Sequence, residues 1–102
     1  MLEEYDEDGK AIPHTLRDYF RYSGDCTIHY DGNEVVLIEG ELGWIFDRTE
    51  FDRAMKHKVT ADDDRWATFR GLVDEIPVSS DRGHRARARF EAEYGLNYCL
   101  WE

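Results

Sequence analysis

Cysteine is scarce in this chain: Cys26 and Cys99 are the only two in 102 residues. That is too few for the disulfide framework on which small secreted domains rely, and each is expected to serve as a small buried hydrophobe. No apolar run approaches the roughly 20 residues that a membrane-spanning helix needs. The first residues, Met1-Leu2-Glu3-Glu4-Tyr5-Asp6-Glu7-Asp8, are acidic. A secretory signal has positive charge there, followed by an apolar stretch, so a cytoplasmic location is the expectation. Glutamine is absent and arginine outnumbers lysine ten to three. Both a GC-rich genome and a salt-adapted host would give that bias.

The chemistry-bearing motifs are missing as well. There is no glycine-rich phosphate loop and no nucleophile elbow, and the sequence implies no cofactor. Ser79, Ser80 and His84 are near neighbours, but nothing orients them as nucleophile and base. Structural zinc wants four ligands at tight spacings, and His14, His29, His57 and His84 are too scattered to supply them. Cys26 and His29 read as C-x-x-H, yet on a strand an odd offset sends them to opposite faces. Glu4, Asp6, Asp8 and Gly9 resemble the front of a calcium loop. The position that needs a bidentate glutamate is Thr15, which rules the loop out. Asp62-Asp63-Asp64 reads better as the acidic start of a helix than as a metal site, because exposed backbone N–H groups favour carboxylates there.

What the chain has is negative charge, unevenly spread. Its formal net charge is −10. Residues 1–64 carry 17 acids and 7 bases, whereas residues 65–102 carry 6 of each. Such a field repels nucleic acid and anionic membranes and steers basic partners inward. The one basic cluster, Arg82, His84, Arg85, Arg87 and Arg89, therefore reads as a helix face with local i,i+4 partners (Asp81 with Arg85, Arg87 with Glu91, Arg89 with Glu93), or as an intramolecular or dimer contact with the acidic part. Apolar residues (41%) interleave with charged ones (35%) and include 14% aromatics, which points to a folded single domain spanning 1–102. Residues 1–12 are expected to form a mobile acidic lead-in.

The patterning predicts an α+β fold: an antiparallel sheet of three to four strands with three to four helices packed on one face. A first helix carries Leu16, Tyr19 and Phe20, with Thr15 and Asp18 as its cap, Pro13 as the competing start and Gly24 as its end. Residues 26–39 read as a β-hairpin turning at Asp31-Gly32-Asn33. Its second arm, Glu34–Glu39, is apolar on both faces and so central in its sheet. Residues 44–46 form the next strand. Asp47 and Glu50 then open a helix, with Phe46 and Phe51 as its hydrophobic staple. A longer helix is predicted from the Thr60–Asp63 region to about Ile76, and another from Ser79 or Ser80 to Tyr94. Residues 96–101 alternate as a closing strand.

From these features the leading functional expectation is a non-catalytic, acidic protein-binding module. In size and charge, though without a shared motif, the chain is similar to phage-encoded anti-CRISPR and anti-restriction inhibitors and to immunity proteins that neutralise toxins. That likeness implies a carboxylate surface that docks on a basic, nucleic-acid-binding face of a partner protein, imitating the charge array of duplex DNA. The acids recur through the first 64 residues, beginning with Glu3, Glu4, Asp6, Glu7 and Asp8, and Tyr5, Tyr22, Tyr30 and Trp44 lie among them as aromatic anchors. The residues selected for the contact are Asp31, Glu34, Glu39, Glu41, Asp47, Glu50 and Asp52, with Tyr30 and Trp44. Direct nucleic-acid or membrane binding is not expected. Two alternatives stand beside it: a subunit or adaptor that self-associates, as a homodimer for instance, through the Leu96–Trp101 strand, and a small enzyme assembled from His29, His57, Asp47 and Glu41.

Overall fold

The computed structural model describes residues 2–24, 26–95 and 100–101. Three of the helices start at the caps that the sequence specifies, while the third in chain order starts later, at Arg65. Thr15 closes the short strand β1 (His14–Thr15), and its hydroxyl accepts from the Asp18 N–H at the start of α1 (Leu16–Ser23). Two strands follow as a hairpin, β2 (Cys26–Asp31) and β3 (Glu34–Glu39), and β4 (Leu42–Asp47) adds a second hairpin. Both connections are two residues long and begin with glycine at φ 60°, Gly32 and Gly40. A tight hairpin needs that left-handed conformation at its first central position, and only glycine adopts it without strain.

Asp47 ends β4 and caps α2 (Arg48–Ala54), its carboxylate accepting from the Glu50 N–H. Phe46 and Phe51, on either side of the cap, stack at 6.2 Å, as a hydrophobic staple requires. A two-residue strand, β5 (Lys58–Val59), pairs antiparallel with β1. Then come α3 (Arg65–Leu72) and α4 (Asp81–Tyr94), capped by Asp64 and Ser80. The last strand, β6 (Leu100–Trp101), lies beside β4. The main sheet has the order β2-β3-β4-β6. Its first three strands are antiparallel, as the hairpin patterning predicts, while β6 joins β4 in parallel. Residues 96–99 of the predicted closing strand lie outside the described residues.

Strand β3 sits in the middle, and alternation along it feeds two separate cores. Val35 and Leu37 point to one side with Trp44 and Phe46, where α1, α2 and α3 contribute Leu16, Phe20, Phe51, Ala54 and Phe69. Val36, Ile38 and Ile45 point to the other side, where Ala86 and Phe90 of α4 cover them. The expectation that all helices share one face is corrected here. A central strand apolar on both faces needs a cover on both, and α4 supplies the second. Phe46, Phe51, Phe69 and Phe90 are fully buried; burial of each contributes about 1.5–3 kcal/mol.

The predicted helix to Ile76 is shorter than expected. Asp63 closes a turn by accepting from the Thr60 N–H, which leaves Asp64 to cap α3. The helix ends at Leu72, and Val73 is already extended (φ −130°, ψ 145°). Beyond it, the Ile76 N–H donates to the Ile45 carbonyl oxygen at 2.7 Å, and Glu75 bridges Phe46. Pairing with the sheet replaces the last helical turn and carries the chain to the far face for α4.

Candidate protein-binding surface

The acidic residues selected from the sequence fall into two groups. The first is engaged by the chain itself. Arg82 and Arg89 lie two turns apart on α4 and reach over the hairpin turn. Arg82 donates to Glu34 (2.8 and 2.9 Å) and to Asp47 (2.7 Å). Arg89 pairs with Glu34 and, at 3.4 Å, with Asp31. Glu34 is buried, and a carboxylate removed from water at that depth is stable only when paired and hydrogen-bonded. Hydrogen bonding from Arg82, followed by the Glu50 backbone N–H, holds the Asp47 carboxyl below the usual carboxylate range. The same contacts raise the Arg82 guanidinium. Of the uses that the charge layout leaves open for the basic cluster, Arg82 and Arg89 make the intramolecular one. Arg87 likewise keeps its partner one turn on, Glu91, at 2.8 Å, whereas Arg89 reaches the sheet instead of Glu93.

The remaining residues of the selected set are dispersed. Glu50 accepts from the Asp74 N–H at 3.1 Å, and Asp52 lies 3.8 Å from Arg48. Trp44 is buried in the aromatic core against Trp66, so its ring is not an exposed anchor. Tyr30 is 42% exposed, with the Arg48 guanidinium over its ring at 4.9 Å. Glu39 and Glu41 are exposed beside the second hairpin turn, and the half-buried Cys26 thiol lies 3.7 Å from Glu39. Cys99 lies outside the described residues. Asp31, Glu34 and Asp47 are thus brought together, but around arginines rather than facing solvent.

A second acidic assembly is the one that sequence reasoning divided between a lead-in and a helix start. Residues 4–12 fold back as a small turn: the Ile12 N–H donates to the Glu4 carbonyl oxygen, Tyr5 bridges Ala11, and Asp6 accepts from the Asp8 and Lys10 N–H groups. A ring nitrogen of His14 bonds the Glu3 carbonyl oxygen. Two contacts stitch this turn to the start of α3. The Tyr5 hydroxyl donates to Asp62 at 3.3 Å, and Arg65 pairs with Glu4 at 3.0 Å. The acidic N-terminal turn is thereby joined to the acidic start of α3 through Asp62 and Arg65. The acids were legible as runs; their adjacency depends on contacts 57 and 61 residues apart. The negative field of Asp62, with burial second, raises the Tyr5 phenol above its ordinary range.

An open cleft of about 1200 Å³ lies beside this turn, lined by Leu2, Ile12, Tyr5, Tyr19 and Tyr22, by the acids Glu3, Glu4, Asp6 and Glu7, and by Ser23 and Arg65. Tyr5 and Tyr22 are each about half exposed, at 50% and 54%.

The enzyme alternative finds its residues apart. His29 packs between Phe90 and Tyr94, on the α4 side of the sheet, while Cys26 packs on the other side, as the odd spacing predicts. Asp47 ends β4, whereas Glu41 lies in the turn that precedes the strand's other end. His57 is exposed after α2. Among the described residues, no group of three or more His, Cys, Asp and Glu is placed to hold a metal ion. Nor is any helix among them long and apolar enough to cross a membrane. Comparison with known proteins finds no family model, no curated protein and no solved structure that matches this chain.

Proposed function

We propose that this chain is a non-catalytic binding module that docks a carboxylate surface on a basic, nucleic-acid-binding surface of a partner protein, and so acts as an inhibitor of that partner. The observation that carries this reading is the division of the acids. Asp31, Glu34 and Asp47 are neutralised by Arg82 and Arg89, whereas in the N-terminal turn, which the Tyr5–Asp62 and Glu4–Arg65 contacts tie to the α3 start, Glu4 pairs with Arg65. Beside it, Glu3, Glu7 and Asp8 are exposed and free to meet an incoming cation. Carboxylates at this density compete for the same basic groups that bind duplex phosphates.

The test is capture of partners from the native host, including its resident mobile elements, at low salt, followed by elution at high salt and by duplex DNA. A complex between exposed charges is screened beyond ~10 Å at 0.1 M salt. The expected result is a basic nucleic-acid-handling protein that both eluents release. A partner retained through both washes, or recovery of the chain bound only to itself, contradicts the reading.

A further inference from the structure

We infer that the cleft beside the N-terminal turn seats an arginine side chain from an extended basic segment of the partner. This rests on the binding reading above and names the chemistry of its anchor. Among the described residues, three tyrosines and four carboxylates line the cleft, with Arg65 as its one cation. That combination suits a planar cation, which stacks on a ring while its N–H groups meet carboxylate oxygens. The chain already uses this mode at the cleft wall. The Arg65 guanidinium lies 4.3 Å over the Tyr19 ring and 3.0 Å from Glu4. The Arg21 guanidinium lies 5.9 Å from the Tyr22 ring centroid, so the chain's own arginines meet two of these rings, while Tyr5 and Tyr22 each keep about half of their surface exposed to an incoming guanidinium.

Other occupants fit less well. A phosphate would meet the carboxylates, and a neutral apolar group would bring them no counter-charge. Lysine satisfies the charge but not the flat stacking geometry, so arginine is favoured.

The probe is acetyl-Gly-Arg-Gly-Arg-Gly-amide, compared with its lysine and citrulline counterparts. Binding to the full chain is followed by chemical-shift changes of backbone amides and tyrosine rings. The companion variants are Tyr22→Ala, which leaves charge unchanged at an exposed helical position, and E3K/E7K/D8K; circular dichroism checks that each remains folded. The arginine peptide is expected to shift Tyr5, Tyr19 and Tyr22 and to bind roughly two- to fivefold tighter than the lysine peptide, in line with an exposed cation–π contact. Tyr22→Ala should remove that preference, and the citrulline peptide should not bind.

Equal binding of the arginine and lysine peptides, unaffected by Tyr22→Ala but lost in E3K/E7K/D8K, overturns the arginine cleft and leaves the acidic-surface reading standing. Binding that neither Tyr22→Ala nor E3K/E7K/D8K changes overturns both. Binding of the citrulline peptide as tight as that of the arginine peptide, or no binding by any peptide, overturns the cleft assignment.

Discussion

Glu34 shows how one position can reverse its meaning between sequence and structure. As a letter in an acidic run it reads as surface charge. In the fold it is a buried carboxylate between Arg82 and Arg89. The two sides of this pair are unequal, since both arginines keep about half of their side-chain surface in water (40% and 51%) and Glu34 keeps 7%. Removing the glutamate leaves cations that can still reach Asp47, Asp31 or solvent. Removing both arginines strands a buried charge. Urea unfolding of R82M/R89M should therefore show a loss of about 3–5 kcal/mol, against about 1–2 kcal/mol for E34Q. Equal losses would mean that Glu34 is more hydrated than its burial indicates. His29 makes a second test at this scale. Burial lowers its imidazole below the ordinary value, against a smaller opposing effect of Glu93. A histidine with a depressed folded-state pKa contributes fully above about pH 6.5, its unfolded value, and that contribution is lost as pH falls through the folded value. The melting temperature should fall between pH 7 and pH 5, and His29→Gln should flatten the fall over that window.

Elements were legible where their signals are local. Thr15, Asp47 and Ser80 cap the helices that the sequence assigns to them, because an N-cap is decided within four residues. The first hairpin turn, at Asp31-Gly32-Asn33, is legible for the same reason. Where an element depends on distant partners, the local pattern misled. Ile76 continues a helical stripe in the sequence, yet its N–H is taken by Ile45 and α3 stops at Leu72. The parallel pairing of β6 with β4 and the placement of α4 on the second face are likewise non-local. The selected acids carried the same ambiguity: a run of carboxylates fixes charge, but not whether an arginine 48 residues away neutralises it. Gly83 shows the non-local constraint most sharply. Inside a helix, glycine to alanine ordinarily stabilises by up to about 1 kcal/mol. Here an added Cβ would lie 2.0 Å from the Pro77 carbonyl oxygen. Gly83→Ala should instead destabilise by about 1–3 kcal/mol in thermal or urea unfolding, the range for overpacking.

For the whole molecule, net charge and charge location make different claims. A net charge of −10 gives solubility and long-range steering wherever the acids sit. A docking surface exists only if particular acids matter more than others. The two hairpin turns, the α2 cap and the N-terminal turn all contribute acids, but the fold spends some on internal pairs and leaves others exposed. The difference is measurable at constant total charge. The affinity of the captured partner should be compared for two triple reversals, E3K/E7K/D8K and E39K/E41K/D52K, which change net charge by the same amount. Loss of binding in the first, with binding largely kept in the second, is the predicted result. Equal weakening by the two would reduce the acids to a general field, and loss confined to the second would move the surface back to the hairpin and α2.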